Sequence, residues 1–172
     1  MFIIVAHEKK ISFSDSLNIL PSQFVYFCRM KSKTLAERVV DAMYDHDPFS
    51  QWLGIERLVV EQGKCVLKMK VRKEMLNGFD IAHGGICYSL ADSALAFASN
   101  SHGRKAVSVE TSLSLTEQVK VNDVLTAAAE EISLTNKIGI YYVTVMNQEN
   151  KKVGLFKGTV YRTMKDWFPE NE

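Results

Sequence analysis

One stretch constrains this chain more than any other: "NGFDIAHGGICYSLADSALAFASN", Asn77 to Asn100. From Ile86 to Ser99 it holds no proline or glycine, and its apolar run predicts one long, nearly buried helix. Ala91, Ala94, Ala96 and Ala98 keep that helix slim enough to be enclosed closely by a sheet. The pair Gly84-Gly85 ahead of the run marks a tight turn into it. Asp92 is the only Asp, Glu, Lys or Arg between Asp80 and Arg104. A lone carboxylate among apolar neighbours needs a partner or a task. On a helical wheel Ser89, Asp92, Ala96 and Ser99 share one face, while Cys87, Leu90, Ala91, Ala94, Leu95 and Ala98 cover the remainder.

The helix start has its own chemistry. Its first amides lack intrahelical partners and lie at the positive end of the helix dipole. With glycine at 84 and 85, no side chain screens them from a substrate oxygen, so they resemble an oxyanion site. Gly84 and Asp92 stand about 12 Å apart along one helix, too far for both to touch one carbonyl group. If they cooperate, one of them must come from a second copy of the chain, and the spacing suggests a dimer with shared sites. Spacing alone still favours a plainer role for Asp92, bonding buried backbone or capping a neighbouring element.

The remainder of the chain supplies the sheet. Residues 1–29 share no clear period with the rest of the chain; they fit a flexible arm, an extra strand, or a translated upstream region with Met30 as the working start. Residues 30–172 form the expected domain. Thr34 with Glu37 has the form of a capping box, Leu35, Val39 and Met43 recur at helical spacing, and Asp47-Pro48 ends that helix. Cys65, Leu67, Met69 and Val71 alternate with Val66, Lys68, Lys70 and Arg72, a strand with one wet face, and Gly63 marks a hairpin turn before it. After the central helix come four strand-like runs. The first places Val107, Val109, Thr111, Leu113 and Leu115 on one face and Ser108, Glu110, Ser112 and Ser114 on the other. A polar turn from Asn147 to Asn150 separates the last two. Antiparallel strands with one buried helix make an α+β fold, the sheet wrapped around the helix.

Composition narrows the function. The 172 residues are 47% hydrophobic and 24% charged, with 21 basic against 20 acidic side chains. A net charge of +1 argues against binding nucleic acid by phosphate neutralisation, and leaves room for a small basic patch. Cys28, Cys65 and Cys87 are odd in number and lack C-x-x-C spacing, which speaks against a disulfide framework or zinc site. His7, His46, His83 and His102 show no ligand spacing, so no metal or other cofactor is expected. No run approaches the roughly 20 apolar residues of a membrane span, and "MFIIVAHEKK" is a poor signal peptide. A cytoplasmic protein with no membrane partner is expected.

At Asn77-Gly78, His83-Gly84-Gly85 and Leu90-Ala91-Asp92 the sequence resembles the hotdog-fold acyl-CoA thioesterases, in particular the PaaI type associated with phenylacetate degradation. The similarity extends from Thr34 to Thr163 and includes "DPFSQWLGIE" and "KKVGLFKGTVYR". The resemblance implies a hotdog fold, a curved antiparallel sheet around the long helix, in dimers that pair into homotetramers. It implies hydrolysis of an acyl-CoA to free acid and CoA, the acyl group aromatic, such as phenylacetyl or hydroxyphenylacetyl, or of medium length. The Gly84 amide would polarise the thioester carbonyl, with Gly85 beside it at the substrate. Asp92 of the opposite protomer would act as nucleophile or as general base. Asn77 would orient the water or the acid, and His83 would shape the glycine turn or contact the thioester. Ser108 stands near the place of an auxiliary polar residue, with Thr111 as its rival. Arg104, Lys105, Lys120 and Lys137 are candidates for the phosphates of CoA, each equally an ordinary solvated charge. Cys87 reads as small core packing, and Tyr88 as core or as a wall of the acyl pocket, core favoured. Ser93 lacks a serine-hydrolase elbow. A non-catalytic acyl-CoA-binding module is the alternative; a hydratase would need an acid–histidine pattern that is absent from this sequence.

Overall fold

The computed structural model describes residues 32–169. The expectations for residues 1–29, and Cys28 with them, lie outside the described residues. Helix α1, Leu35–Asp45, begins as the sequence predicts: the Thr34 side chain accepts from the Glu37 amide, and Glu37 reaches back to the Thr34 amide. A short helix α2, Pro48–Leu53, was not foreseen. The Asp47-Pro48 pair that ends α1 also starts α2: Asp47 caps it by accepting from the Ser50 amide at 3.0 Å, and proline suits a first helical turn.

Strands β1, Glu56–Glu61, and β2, Lys64–Lys70, form the expected hairpin, turning at Gly63 with φ +74°. Cys65, Leu67 and Met69 are fully buried on the inner face of β2. The long helix α3, Gly84–Asn100, comes next, then β3, Arg104–Leu115, β4, Val124–Leu134, β5, Ile138–Met146, and β6, Lys152–Asp166. All pairings are antiparallel, in the order β1-β2-β4-β5-β6-β3. The chain leaves α3, lays β3 at one edge of the sheet, and fills the middle on its way back.

The sheet curls around α3, whose Leu90, Ala91, Ala94, Leu95 and Ala98 have no exposed surface. Each leucine buried there contributes about 1.5–3 kcal/mol by leaving water. The enclosure depends on two strand glycines. A methyl group at Gly158 would stand 2.4 Å from Leu95 Cδ2, and one at Gly154 would stand 2.7 Å from Cys87 Sγ. Any side chain on β6 at these points would push the sheet away from the helix.

Three expectations are corrected. Ser99 is buried, its hydroxyl donating to the Ala96 carbonyl, so the polar stripe of α3 ends at Ala96. Tyr88 is 37% exposed rather than core; its hydroxyl bonds Thr111 Oγ1 at 2.5 Å while its ring edge meets Phe156. The even alternation of β3 is broken by a bulge between Ser108 and Glu110. Val107 therefore pairs with outward Tyr161, whereas Ser108 pairs with buried Val160 and Thr111 with buried Gly158. One extra residue switches the face, as bulges do.

The C-terminal end of α3 is tied down by Asn100, which is buried. Its Oδ1 accepts from the Ala106 amide at 2.9 Å and from Trp167 Nε1 at 2.8 Å; its Nδ2 donates to the carbonyls of Ala96 and Ala106. The segment after β6 is thereby pinned to the helix. No helix among the described residues is long and apolar enough to cross a membrane.

Candidate active site

The helix start is delivered by a small doubled-back turn. Asn77 Oδ1 accepts from the Phe79 amide, the Asn77 amide donates to the Ile81 carbonyl, and the His83 amide donates to the Met75 carbonyl. Asp80 takes φ +59°, a conformation open to aspartate because its short side chain tolerates the left-handed region. His83 then caps α3: its Nδ1 accepts from the Gly85 amide at 3.0 Å. Since Nδ1 is the acceptor, the neutral ring carries its proton on Nε2. The Gly85 amide is thus taken, while the Gly84 amide has no acceptor among the described residues.

Among the described residues, cavities open at two places along α3. The first, about 470 Å³, lies at the helix start and is lined by His83, Gly84 and Cys87 with Leu115, Gln118 and Val119. The second, about 440 Å³, is lined by Ser89, Asp92 and Phe97 with Met43, Phe49 and Trp167. Gly84 and Asp92 therefore open on different cavities of the same chain, in keeping with the spacing argument. Asn77 lines neither.

Asp92 neither bonds backbone nor caps an element; its carboxyl has no hydrogen-bond or ion-pair partner among the described residues. Burial without compensation raises its pKa above the ordinary carboxylate value. Among the described residues, nothing supplies the plainer role that spacing favoured. Cys87, beside Gly84 in the first cavity, is no rival nucleophile, because burial pushes its thiol up to about 11. Ser93 bonds Ser50 Oγ at 3.0 Å, and Ser50 in turn donates to Asp47 Oδ2 at 2.5 Å, a chain that fastens α2 to α3 and contains no histidine to activate a serine nucleophile.

Ser108 and Thr111 both lie on the inner face of β3 because of the bulge, and Thr111 meets Tyr88 of α3. Arg104 is occupied: its guanidinium donates to the carbonyls of Thr163 and Arg162 and to Asn136 Oδ1. That is a clasp across the sheet rather than a free phosphate contact. The Lys105 ammonium sits 5.1 Å from the Trp167 ring centroid, and Lys120 and Lys137 are exposed. No cluster of three metal-ligating side chains occurs among the described residues. Sequence reasoning missed Met43, Phe49 and Trp167; only the folded chain brings these three segments to Asp92.

A six-stranded antiparallel sheet rolled around one apolar helix defines the hotdog class, and its polar features here sit where that helix begins and where its stripe reaches the surface. A model of the thioesterase superfamily matches residues 79–153. The chain is 41% identical over 145 residues to a candidate esterase of Archaeoglobus fulgidus, covering 84% of this chain and 94% of that protein. It is 37% identical over 121 residues to the acyl-coenzyme A thioesterase PaaI of Escherichia coli, covering 70% of this chain and 86% of the relative. The solved structure of that PaaI protein, from the phenylacetic acid degradation operon, superposes with a TM-score of 0.75 over 77% of this chain and 96% of the other, at 35% identity. A Streptococcus mutans protein solved with acetyl CoA aligns at TM-score 0.63 and 26% identity, over 65% of this chain and 90% of that one. The chain belongs to the thioesterase superfamily, as a PaaI-like hotdog enzyme.

Proposed function

We propose that the chain hydrolyses acyl-CoA thioesters, with each active site assembled from two copies. The open Gly84 amide of one copy holds the carbonyl oxygen and the charge that develops on it. Asp92 of the second copy either attacks the carbonyl carbon, expelling the CoA thiolate and leaving an anhydride for water to cleave, or takes a proton from water as that water attacks. The unpartnered carboxylate of Asp92 carries this reading: a charge held in an apolar helix without compensation is kept for chemistry. The two separate cavities support the division between copies, and β3, an edge strand of the described sheet, offers the line along which a second sheet can join. Pairs of such dimers would give the tetramer. Likeness to the PaaI protein of the phenylacetic acid degradation operon supports an aromatic acyl group, with medium-length chains as the other candidates.

His83 positions the Gly84 amide by capping the helix, and Asn77 by shaping the turn before it. Thiol release from a panel of acyl-CoAs tests the proposal on wild type, Asp92→Ala and Asp92→Asn. Wild type should turn over at least part of the panel, and both variants should lose at least about 10²-fold in kcat. Equal rates for all three proteins would remove Asp92 from the mechanism, and tight binding of every acyl-CoA without turnover would make the chain a binding module.

A further inference from the structure

Resting on the thioesterase reading, we propose that Trp167 sets the size of acyl group the enzyme accepts, by forming the end wall of the cavity beside Asp92. A thioester carbonyl carbon has two substituents besides oxygen, sulfur and the acyl chain, and they diverge from the reacting centre. In a shared site the Gly84 cavity of one copy and the Asp92 cavity of the other face the same carbonyl. The Gly84 cavity includes Thr116, Glu117 and Gln118 and suits the amide-rich arm of CoA. The Asp92 cavity is walled by Met43, Phe49, Phe97 and Trp167, and suits a hydrocarbon or a ring.

Trp167 is the wall with the most deliberate support. It comes from the segment after β6, yet its indole Nε1 donates to buried Asn100 at 2.8 Å, its amide donates to the Gly103 carbonyl at 2.8 Å, and Lys105 lies over its ring. Asn100 spends its remaining hydrogen-bonding capacity on α3 and β3. The indole is therefore held by the same residue that ends α3, and it lines the cavity that Asp92 also lines. A surface tryptophan with no task would not need three separate restraints.

The test measures kcat/KM for acyl-CoAs from acetyl to dodecanoyl, with benzoyl and phenylacetyl, on wild type, Trp167→Ala, Trp167→Phe and Ala42→Phe. Trp167→Ala should raise kcat/KM for the longest or bulkiest acyl groups relative to acetyl by about tenfold or more, since a hydrophobic pocket discriminates on this scale. Trp167→Phe should keep the wild-type order. Ala42→Phe, which narrows the same cavity from α1, should shift preference the opposite way. It also decides the matter if removal of the indole unfolds the chain. Hydrolysis by wild type with the same acyl preference in every folded variant would overturn the proposal and leave the thioesterase reading standing. A wild type that hydrolyses no acyl-CoA would overturn both.

Discussion

Asp92 is a residue whose placement opposes stability. Its carboxyl pKa is raised above 3.8 by burial. A group with a raised folded-state pKa gives stability that is present below its unfolded pKa and is lost as pH rises through the folded one. At about pH 7 the buried charge is a net cost, so Asp92→Asn should melt at a higher temperature than wild type while losing activity. The gain should shrink as pH falls towards the unfolded carboxylate value. Thermal unfolding of both proteins across that range checks it, and an Asn variant that is less stable at every pH would reveal a structural partner for the acid. This residue was legible from sequence as an anomaly, but not as a free one: absence of a partner is a property of folded neighbours. The same holds for Arg104, a phosphate candidate by charge that the fold spends on acceptors of β6 and of Asn136.

At the scale of elements, β6 approaches α3 closely enough at Gly154 and Gly158 that any side chain there would clash with Cys87 or Leu95. Gly158→Ala should cost about 1–3 kcal/mol by driving a methyl into Leu95, which has no exposed surface into which to retreat. Leu95→Ala alone should cost about 2–5 kcal/mol by leaving a cavity. Combined, the two should cost less than their sum, because each relieves the strain or fills the space of the other; urea unfolding of the three variants measures the coupling. The order of elements was readable because each carries a local signal: the Thr34 capping box, the Gly63 hairpin, the alternation of β2, the apolar run of α3. Two features were not. Helix α2 is too short to show a period, and its cap, Asp47, directly follows His46, the C-cap of α1. The bulge in β3 was hidden because "AVSVETSLSL" alternates so evenly that it gives no sign of where the extra residue falls. That bulge decides that Ser108 and Thr111, rivals on paper, share the inner face.

At the scale of the molecule, the division of labour between copies can be tested by mixing two inactive proteins. Asp92→Asn keeps its Gly84 amide, and Gly84→Val keeps its Asp92 but covers the amide and crowds Leu115. Refolded together in equal amounts, they should recover about a quarter of wild-type activity, since half the dimers are mixed and each of those restores one site of two. No recovery, with dimers formed, would place both groups of a site in one chain. The separate cavities of Gly84 and Asp92 carry one more consequence. On the proposed two-copy site, a solitary chain would own two half-sites and complete neither, so catalysis would become second order in the enzyme itself. In dilute solution its turnover would report how often two molecules meet, and only above the association threshold how fast a thioester is broken.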